Sequence, residues 1–194
     1  MSNKITKMDK VRELLKKNPG KFNYASAGNG SSHHLAGEQF KMLTKTFITH
    51  IPYRGAGPAL SDLIAGQVDM MFDAIPTMVE QVKGSKVKAM ATSGKSRSTI
   101  MPDTPTLDEG VVSGYEATIW LGVMAPKGTP GDIVELLAQS LTRIMTLPDV
   151  QARFKADALD PAPIGAAHMD KFIRQDLEGW KKVVQQQGIK LNSI

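Results

Sequence analysis

Cysteine is absent from the 194-residue sequence, which excludes disulfide bonds and thiolate metal ligands and leaves the redox compartment undetermined. Aromatic residues make up only 6%, and the net charge of +5 is spread in short pairs such as Lys16 and Lys17. This composition does not favour a nucleic-acid surface, so we expect no nucleic-acid partner. The longest apolar run, residues 119–125, is interrupted by Gly122 and is far shorter than the roughly 20 residues of a transmembrane helix. We therefore expect no membrane span.

Complete phosphate-binding motifs are also missing. Gly28 and Gly30 begin a dinucleotide fingerprint, but the position of its third glycine is occupied by His33. Residues 94–96 read Gly-Lys-Ser, like the end of a P-loop, yet the required earlier glycine is an alanine, Ala89. The sequence therefore predicts no nucleotide cofactor.

Motifs for catalysis and metal binding are equally scarce. No G-x-S-x-G elbow occurs, and the adjacent His33 and His34 would diverge by about 100° on a helix. His50 and His168 are distant in the sequence, which leaves no spacing typical of zinc ligands. We expect no metal, no cofactor and no enzymatic activity.

What the sequence does contain is an alternation of β-prone and helical segments, within a composition that is 41% hydrophobic. The predicted strands are residues 22–24, 49–53, 68–72, 87–92 and 117–125. The predicted helices are residues 9–17, the segment from Leu35 to Phe47, a helix with Pro58 in its first turn, and residues 76–83, 131–146 and 167–187. Residues 97–115 read as irregular, with one short helix at most. This alternation predicts an α/β fold with a mostly parallel sheet and helices on both faces.

The most informative stretch is FNYASAGNGSSHHLAGE, residues 22–38, in which a strand breaks into small residues and then opens into a helix. Small side chains leave their own amides accessible, and the start of a helix presents unpaired N–H groups and the positive end of its dipole. Such a corner favours an anion, most naturally a carboxylate or a phosphate. From the residues alone, an ordinary turn with Ser31 or Ser32 as the N-cap is the alternative.

Six motifs occur in one order from about Val11 to Leu191: YASAGNGSSHHLAGE, HIPYRGAGPALSDLIAGQVDMMFDAIPT, MPDTPTLDEG, the GYE to WLG stretch, APKGTP and FIRQDLEGWKKVVQQQGIKL. Together they resemble the substrate-binding receptors of tripartite tricarboxylate transporters, the Bug family. The resemblance implies a type II periplasmic-binding-protein fold, in which two α/β lobes joined by crossover strands close on a small carboxylate. It also implies that membrane transporter subunits are partners.

By this resemblance, residues 9–116 form the second, ligand-binding lobe, residues 117–124 a crossover or hinge strand, and residues 125–194 the carboxy-terminal part of an incomplete first lobe. Family receptors begin with a signal peptide and a segment of roughly 100 residues that this sequence does not contain. The resemblance predicts a periplasmic location, whereas the sequence as written predicts a cytoplasmic one. The last two predicted helices would then lack the sheet they normally cover, which leaves their apolar stripes free for self-association.

The resemblance also implies ligand contacts, which extend the anion corner. The predicted ligand-binding residues are Ser26, Ala27, Gly28, Asn29, Gly30, Ser31, Ser32, His33, Arg54 and Asp73. Loop amides and ordered waters would hold a ligand carboxylate, and Asp73 would reach the distal end of the ligand. Arg54 is the cation best suited to pair with a second carboxylate.

Three interpretations follow for function. The first is a receptor that binds a di- or tricarboxylate, an amino acid or an aromatic acid. The second is a non-binding remnant or a self-associating interaction module. The third is a hydrolase that uses Ser31 or Ser32 with His33.

Overall fold

A computed structural model describes residues 7–110, 112–162 and 164–189 of the chain; residues 190–194, the end of the predicted first-lobe segment, lie outside this range. In chain order, the elements are α1 (Lys7–Lys17), β1 (Asn23–Ser26), α2 (Ser32–Thr44), β2 (Thr49–Pro52), α3 (Ala56–Ile64), β3 (Met70–Met71), α4 (Ile75–Lys83), α5 (Leu107–Gly110), α6 (Gly131–Met145), α7 (Pro148–Ala156) and α8 (Ala166–Gln186). They form two compact units. Unit 1 comprises the described residues of Met1–Ile119 and Lys182–Ile194, and unit 2 comprises Trp120–Lys181.

Unit 1 contains a parallel sheet of three strands in the order β2-β1-β3. Tyr24 of β1 lies beside His50 of β2 on one side and Met70 of β3 on the other. The expectation of an α/β fold with a parallel sheet is confirmed. The lobe boundaries stay a prediction.

Helices cover both faces of this sheet, because successive residues of a strand point to opposite faces. On one face, Ala25 packs with Ala59 of α3 and with Val68. On the other face, Tyr24 lies against Gly37 of α2 so closely that a Cβ on this glycine would stand 2.3 Å from the tyrosine ring. Glycine at position 37 therefore permits the close approach of α2 to the sheet.

Aromatic rings surround Phe40 of α2. Phe40 is buried and lies 5.6 Å, centroid to centroid, from the ring of Phe72 and 6.5 Å from that of Tyr115. The Tyr115 hydroxyl donates a hydrogen bond of 3.0 Å to the Ala36 carbonyl oxygen. Burial raises the pKa of Tyr115 above its usual range.

Two strand predictions are wrong. Residues 87–92 contribute only a single bridge, between Thr92 and Thr106, and residues 117–125 contain no strand. A β-prone sequence becomes a strand only where another strand pairs with its backbone, and the described chain supplies none beside either segment.

Helix boundaries agree better with the sequence, with two differences. The helix predicted to reach Phe47 ends at Thr44, because Lys45 adopts a left-handed C-cap conformation with φ of 53°, and the Phe47 side chain is exposed. Helix α7, which begins with Pro148, was not predicted. Within residues 97–115, where the sequence predicts one short helix at most, the structure contains α5.

Unit 2 consists of helices and irregular segments in the described residues. The indole N–H of Trp120 donates a hydrogen bond of 3.0 Å to Asp176, and its ring packs edge-on against Phe172. Many apolar side chains of this unit are exposed: Leu121, Val123, Met124, Ile133, Leu136, Leu137, Ile144, Leu147, Ile164 and Leu177. Among the described residues of the whole chain, no helix is both long and apolar enough to cross a membrane.

Candidate functional site

The loop between β1 and α2 is the predicted anion corner, and glycines shape it. Gly28 and Gly30 have φ values of 125° and 76°, which side chains with a Cβ rarely adopt. A Cβ on Gly28 would also stand 3.2 Å from the Tyr53 carbonyl oxygen. Within the loop, Ala27 is half-buried and Asn29 is exposed. The small residues recognised in the sequence are therefore required by the backbone path of the loop.

Ser26 and Ser31 fix the two ends of the loop. Ser26 closes β1 with no exposed surface, and its Oγ accepts a hydrogen bond of 3.1 Å from the Gly28 amide. Ser31 is the N-cap of α2, where its Oγ accepts from the His34 amide at 3.3 Å and its hydroxyl donates to the Gly28 carbonyl at 2.7 Å. Of the two N-cap candidates in the alternative interpretation as an ordinary turn, Ser31 is the residue that caps α2.

The amides of this corner fall into two groups. Those of Gly28, Gly30 and Ser31 each donate to an acceptor inside the loop or in α2. The amides of Asn29, Ser32 and His33 have no acceptor among the described residues, and the last two belong to the first turn of α2. The first turn of α2 also contains no acidic residue. Two N–H groups at the positive end of a 13-residue helix are thus open to an anion.

Asp73, a predicted ligand-binding residue, contacts His33 in the first turn of α2. Its Oδ1 is 2.9 Å from Nε2 of His33 and accepts a hydrogen bond of 2.7 Å from the Ala74 amide. The Asp73 side chain is 2% exposed and that of His33 is 12% exposed. Asp73 Oδ2 and His33 Nδ1 are buried without a hydrogen-bond partner in the described structure. The pair therefore retains one acceptor and one ring nitrogen at the edge of the corner.

Arg54 follows β2 and is brought close to the loop by its backbone. The preceding residue, Tyr53, donates its amide to the Ser26 carbonyl at 3.0 Å. The Arg54 side chain is exposed and makes no hydrogen bond or ion pair with the described residues. The Tyr53 hydroxyl donates to Asp62 at 2.7 Å, and this hydrogen bond raises the pKa of Tyr53.

Beneath the loop lies a buried polar network that sequence reasoning missed. The Tyr24 hydroxyl donates a hydrogen bond of 2.8 Å to Glu38, which forms an ion pair of 2.7 Å with Lys41. Burial, followed by the hydrogen bond to Glu38, raises the pKa of Tyr24 above its usual range. A signal was present, because Glu38 stands one helical turn after His34 on the face of α2 that meets the sheet.

Two histidines complete this network. The rings of His34 and His50 stack with centroids 4.0 Å apart and planes inclined by 8°. Burial lowers the pKa of His34, and burial together with the neighbouring His34 lowers the pKa of His50 to about 4. The sequence prediction treated His50 as remote, but the strand register places it beside Tyr24.

The serine–histidine contacts of this region do not form a nucleophile open to a solute. Ser26 Oγ lies 2.6 Å from His50 Nε2, but Ser26 is fully buried. The Ser31 hydroxyl is engaged by the loop carbonyl and the helix cap. Because His33 directs Nε2 to Asp73 and its Nδ1 has no partner, no described serine is hydrogen-bonded to it. The hydrolase arrangement proposed from the sequence is therefore absent from the described residues.

Comparison with known proteins gives related sequences over most of the chain. Residues 3–189 match the family described as the tripartite tricarboxylate transporter family receptor, TctC. A UPF0065 protein from the tcbD-tcbE intergenic region of Pseudomonas sp. strain P51 is 34% identical over 186 residues, which is 94% of this chain and 55% of the relative. Protein BugT of Bordetella pertussis is 32% identical over 97% of this chain and 58% of BugT. The chain thus spans little more than half the length of these curated relatives.

Solved structures show the same relationship. Rpa4515 of R. palustris with adipate superposes with a TM-score of 0.82 at 27% identity, covering 95% of this chain and 61% of that protein. MatC (Rpa3494) from Rhodopseudomonas palustris with bound malate gives a TM-score of 0.74 at 31% identity, covering 92% and 62% respectively.

The family matched here consists of periplasmic solute receptors of the Bug type, and its members are not enzymes. The sequence match covers nearly the whole chain, and the parallel sheet and loop described above lie within it. The chain belongs to the tripartite tricarboxylate transporter receptor family.

Proposed function

We propose that this chain binds a small organic acid as part of a periplasmic receptor for a tripartite tricarboxylate transporter. The ligand carboxylate lies on the loop of residues 26–33, where it accepts hydrogen bonds from the open amides of Ser32 and His33. The transporter's membrane subunits are its partners. Family membership supports the solute class, and the two open amides at the α2 N-terminus are the observation that carries the site.

The chemistry of the corner favours a carboxylate over a neutral group. An anion at a helix N-terminus gains from the dipole and from charge-assisted hydrogen bonds, which are about twice as strong as neutral ones. The solutes in the two neighbouring structures, adipate and malate, are both dicarboxylic acids. In a dicarboxylate complex, Arg54 pairs with the second carboxylate, because its side chain is exposed without a described partner and follows Tyr53, whose amide is bonded to Ser26.

Asp73 and His33 serve the remainder of the ligand in this proposal. Asp73 Oδ2, which has no partner in the described structure, accepts a hydrogen bond from a hydroxyl, an ammonium or an ordered water. This pair therefore distinguishes acids that carry a donor near the distal end from acids that do not.

The alternative is that the chain binds no solute and acts as a self-associating module. The exposed apolar side chains of α6 support this alternative, because large apolar patches favour association. A binding measurement separates the two, provided that the molar mass is measured on the same sample.

The experiment is a calorimetric and thermal-shift titration with adipate and malate at fixed salt, with the corresponding diamides as neutral controls. The test variant is Ser32→Pro, which removes one of the two open amides and nothing else from the loop backbone. Proline suits the first helical position, and Ser31 before it already has the extended conformation, φ −66° and ψ 159°, that proline requires. Ser32→Ala keeps the amide and is the matched control.

We expect a saturable response to one of the acids and none to the diamides. Ser32→Pro should weaken binding by about tenfold or more, the loss of one hydrogen bond to a charged group, while Ser32→Ala binds normally. Both variants should unfold at the temperature of the parent chain. Equal affinity in the two variants would refute the assigned amide, and the absence of any response up to millimolar acid would favour the self-associating module.

A further inference from the structure

The stacked histidines contact the loop from below, each through one ring nitrogen. The Gly30 amide donates a hydrogen bond of 3.0 Å to Nδ1 of His34. Nε2 of His50 lies 2.6 Å from Oγ of Ser26, the residue at the other end of the loop. One imidazole therefore contacts each half of the glycine-rich segment that precedes α2. Neither ring is needed to bind a carboxylate directly, so their placement requires another explanation.

We propose that His34 and His50 are positioning residues for the carboxylate-binding loop, and that protonation of His34 releases Gly30 and weakens solute binding. The effect on binding rests on the function proposed above, whereas the effect on the loop does not. The pair would make the receptor's affinity depend on pH through the loop backbone instead of through contact with the solute.

The hydrogen-bond pattern of His34 determines the direction of this effect. A ring nitrogen accepts a hydrogen bond only while it carries no proton, so neutral His34 must hold its proton on Nε2. Cationic His34 carries a proton on both nitrogens. The Nδ1–H group then faces the Gly30 N–H group, so that two hydrogen-bond donors point at each other. The two donors then repel, and Gly30 loses its acceptor. Gly30 has φ of 76° and no side chain of its own, so its peptide is free to reorient between the ends fixed by Ser26 and Ser31 when this bond is lost.

His50 responds differently, because its bond to Ser26 survives protonation. With a proton on Nε2, His50 donates to Ser26 Oγ, and the serine hydroxyl then donates to the Gly28 carbonyl 3.2 Å away. The stack still couples the two rings, since a charge on one ring at 4.0 Å disfavours a charge on the other. His50 therefore holds Ser26 in place whether or not its ring carries a proton, and a charge on His34 lowers the pKa of His50.

Other titratable groups face the pair from the same elements. Glu38 Oε1 lies 3.9 Å from His34 Nε2 and favours the cationic form of His34. Lys41, which pairs with this carboxylate at 2.7 Å, disfavours that form. Tyr24 of β1 stacks on His50, and its hydroxyl donates a hydrogen bond to Glu38. The neighbouring His33 is hydrogen-bonded to Asp73. Burial of the ring lowers the pKa of His34, so the loop changes below pH 6.5.

A charge on His34 would also attract an anion through space. Glu38 offsets part of that attraction, and the His34 side chain is only 9% exposed and faces the Gly30 amide instead of solvent. The loss of loop geometry acts directly on the open amides of α2, so we infer that weaker binding prevails at low pH. If the parent chain bound the solute more tightly at low pH and His34→Asn did not, this conclusion would be overturned.

The first experiment follows the loop without a ligand. We would record the Gly30 amide and the histidine ring nitrogens by NMR between pH 5 and pH 8 in the full chain and in His34→Asn. Asparagine places Oδ1 where histidine has Nδ1, so it accepts the Gly30 hydrogen bond but does not titrate. The Gly30 amide should shift with the titration of His34 in the parent chain and stay constant in His34→Asn. A Gly30 amide that behaves identically in both proteins would refute the positioning role.

The second experiment measures binding of adipate and malate over the same range. The affinity of His34→Asn relative to the parent should rise as the pH falls from 8 to 5, by up to about fivefold, the effect of one ordinary hydrogen bond. Comparing the two proteins at each pH cancels protonation of the ligand. His34→Leu, which offers no acceptor, should be weaker at every pH. Parallel pH profiles for parent and His34→Asn would refute the proposal, and no binding by any protein would instead refute the receptor function while the NMR result stands.

Discussion

Helices α2 and α6 carry apolar residues at helical spacing, yet they meet different surroundings. In α2, the buried residues are His34, Ala36, Gly37, Glu38, Phe40 and Thr44, whereas α6 has no buried residue in the described structure. Half of the buried residues in α2 are polar, and the exposed residues of α6 include Leu136 and Leu137. Periodicity therefore identifies the face that a helix can bury, but it does not show what covers this face.

The sheet accounts for the difference. Strand β1 gives α2 a tyrosine ring to pack on and a set of polar groups to pair with, so that even His34 and Glu38 are satisfied when buried. Unit 2 contains no strand among its described residues.

The strongest comparison truncates one apolar side chain in each helix. Phe40→Ala removes a ring that is 2% exposed and should lower the free energy of unfolding by about 4 kcal/mol. Leu136→Ala, at a side chain that is 59% exposed, should change it by less than about 0.5 kcal/mol. Urea unfolding followed by circular dichroism measures both. If Leu136→Ala lowered the free energy of unfolding by a large amount that depended on protein concentration, a second copy of the chain would have to cover α6. Light scattering would detect such a dimer.

Acid should destabilise unit 1 more than unit 2. The pKa of His50 is lowered to about 4 from 6.5, so the unfolded chain binds a proton that the folded chain does not between these values. The contribution of His50 to the free energy of unfolding is fully present above pH 6.5. It is lost as the pH falls towards 4, and the loss is about 3 kcal/mol at most. Hydrogen exchange by mass spectrometry should show the loss in unit 1 peptides. A His50→Gln variant should flatten this pH dependence, and an unchanged slope would contradict it.

Substitution by alanine at two helical glycines should change the free energy of unfolding in opposite directions. Gly37→Ala forces a methyl group against the ring of Tyr24 and should destabilise the protein by about 2 kcal/mol. Gly179→Ala in α8 meets nothing within 4 Å and should stabilise it by about 0.5 to 1 kcal/mol through helix propensity. Thermal unfolding of the two variants provides the comparison. A neutral Gly37→Ala would mean that α2 can withdraw from the sheet.

The loop could be predicted from the sequence because its chemistry is local. Positive φ at Gly28 and Gly30 and a serine cap at Ser31 are each encoded within a few residues of where they act. The sequence predicts Asp73 at the carboxyl end of a parallel strand, where ligand groups of open α/β sheets lie, but it does not predict the contact with His33. The role of Asp73 in binding stays a prediction, as does that of Arg54.

What could not be predicted depends on pairing between distant segments. Residues 87–92 and 117–125 have β-prone sequences but no partner strand in the described chain, so propensity alone gave the wrong answer. The stack of His34 on His50 needs both the register of β2 against β1 and the rotation of α2. Neither quantity is contained in a short window of sequence.

The hydrogen bond from Tyr115 to Ala36 joins residues that are 79 positions apart, whereas the β1–β2 pairs, such as Asn23 with Thr49, are 26 positions apart. Closing the longer loop costs about 1 kcal/mol more entropy, and it must wait until that part of the chain exists. During synthesis, the β1–β2 pairing can therefore form while the Tyr115 side of Phe40 is still uncovered. Until Tyr115 leaves the ribosome, this apolar surface is available to chaperones and to other nascent chains.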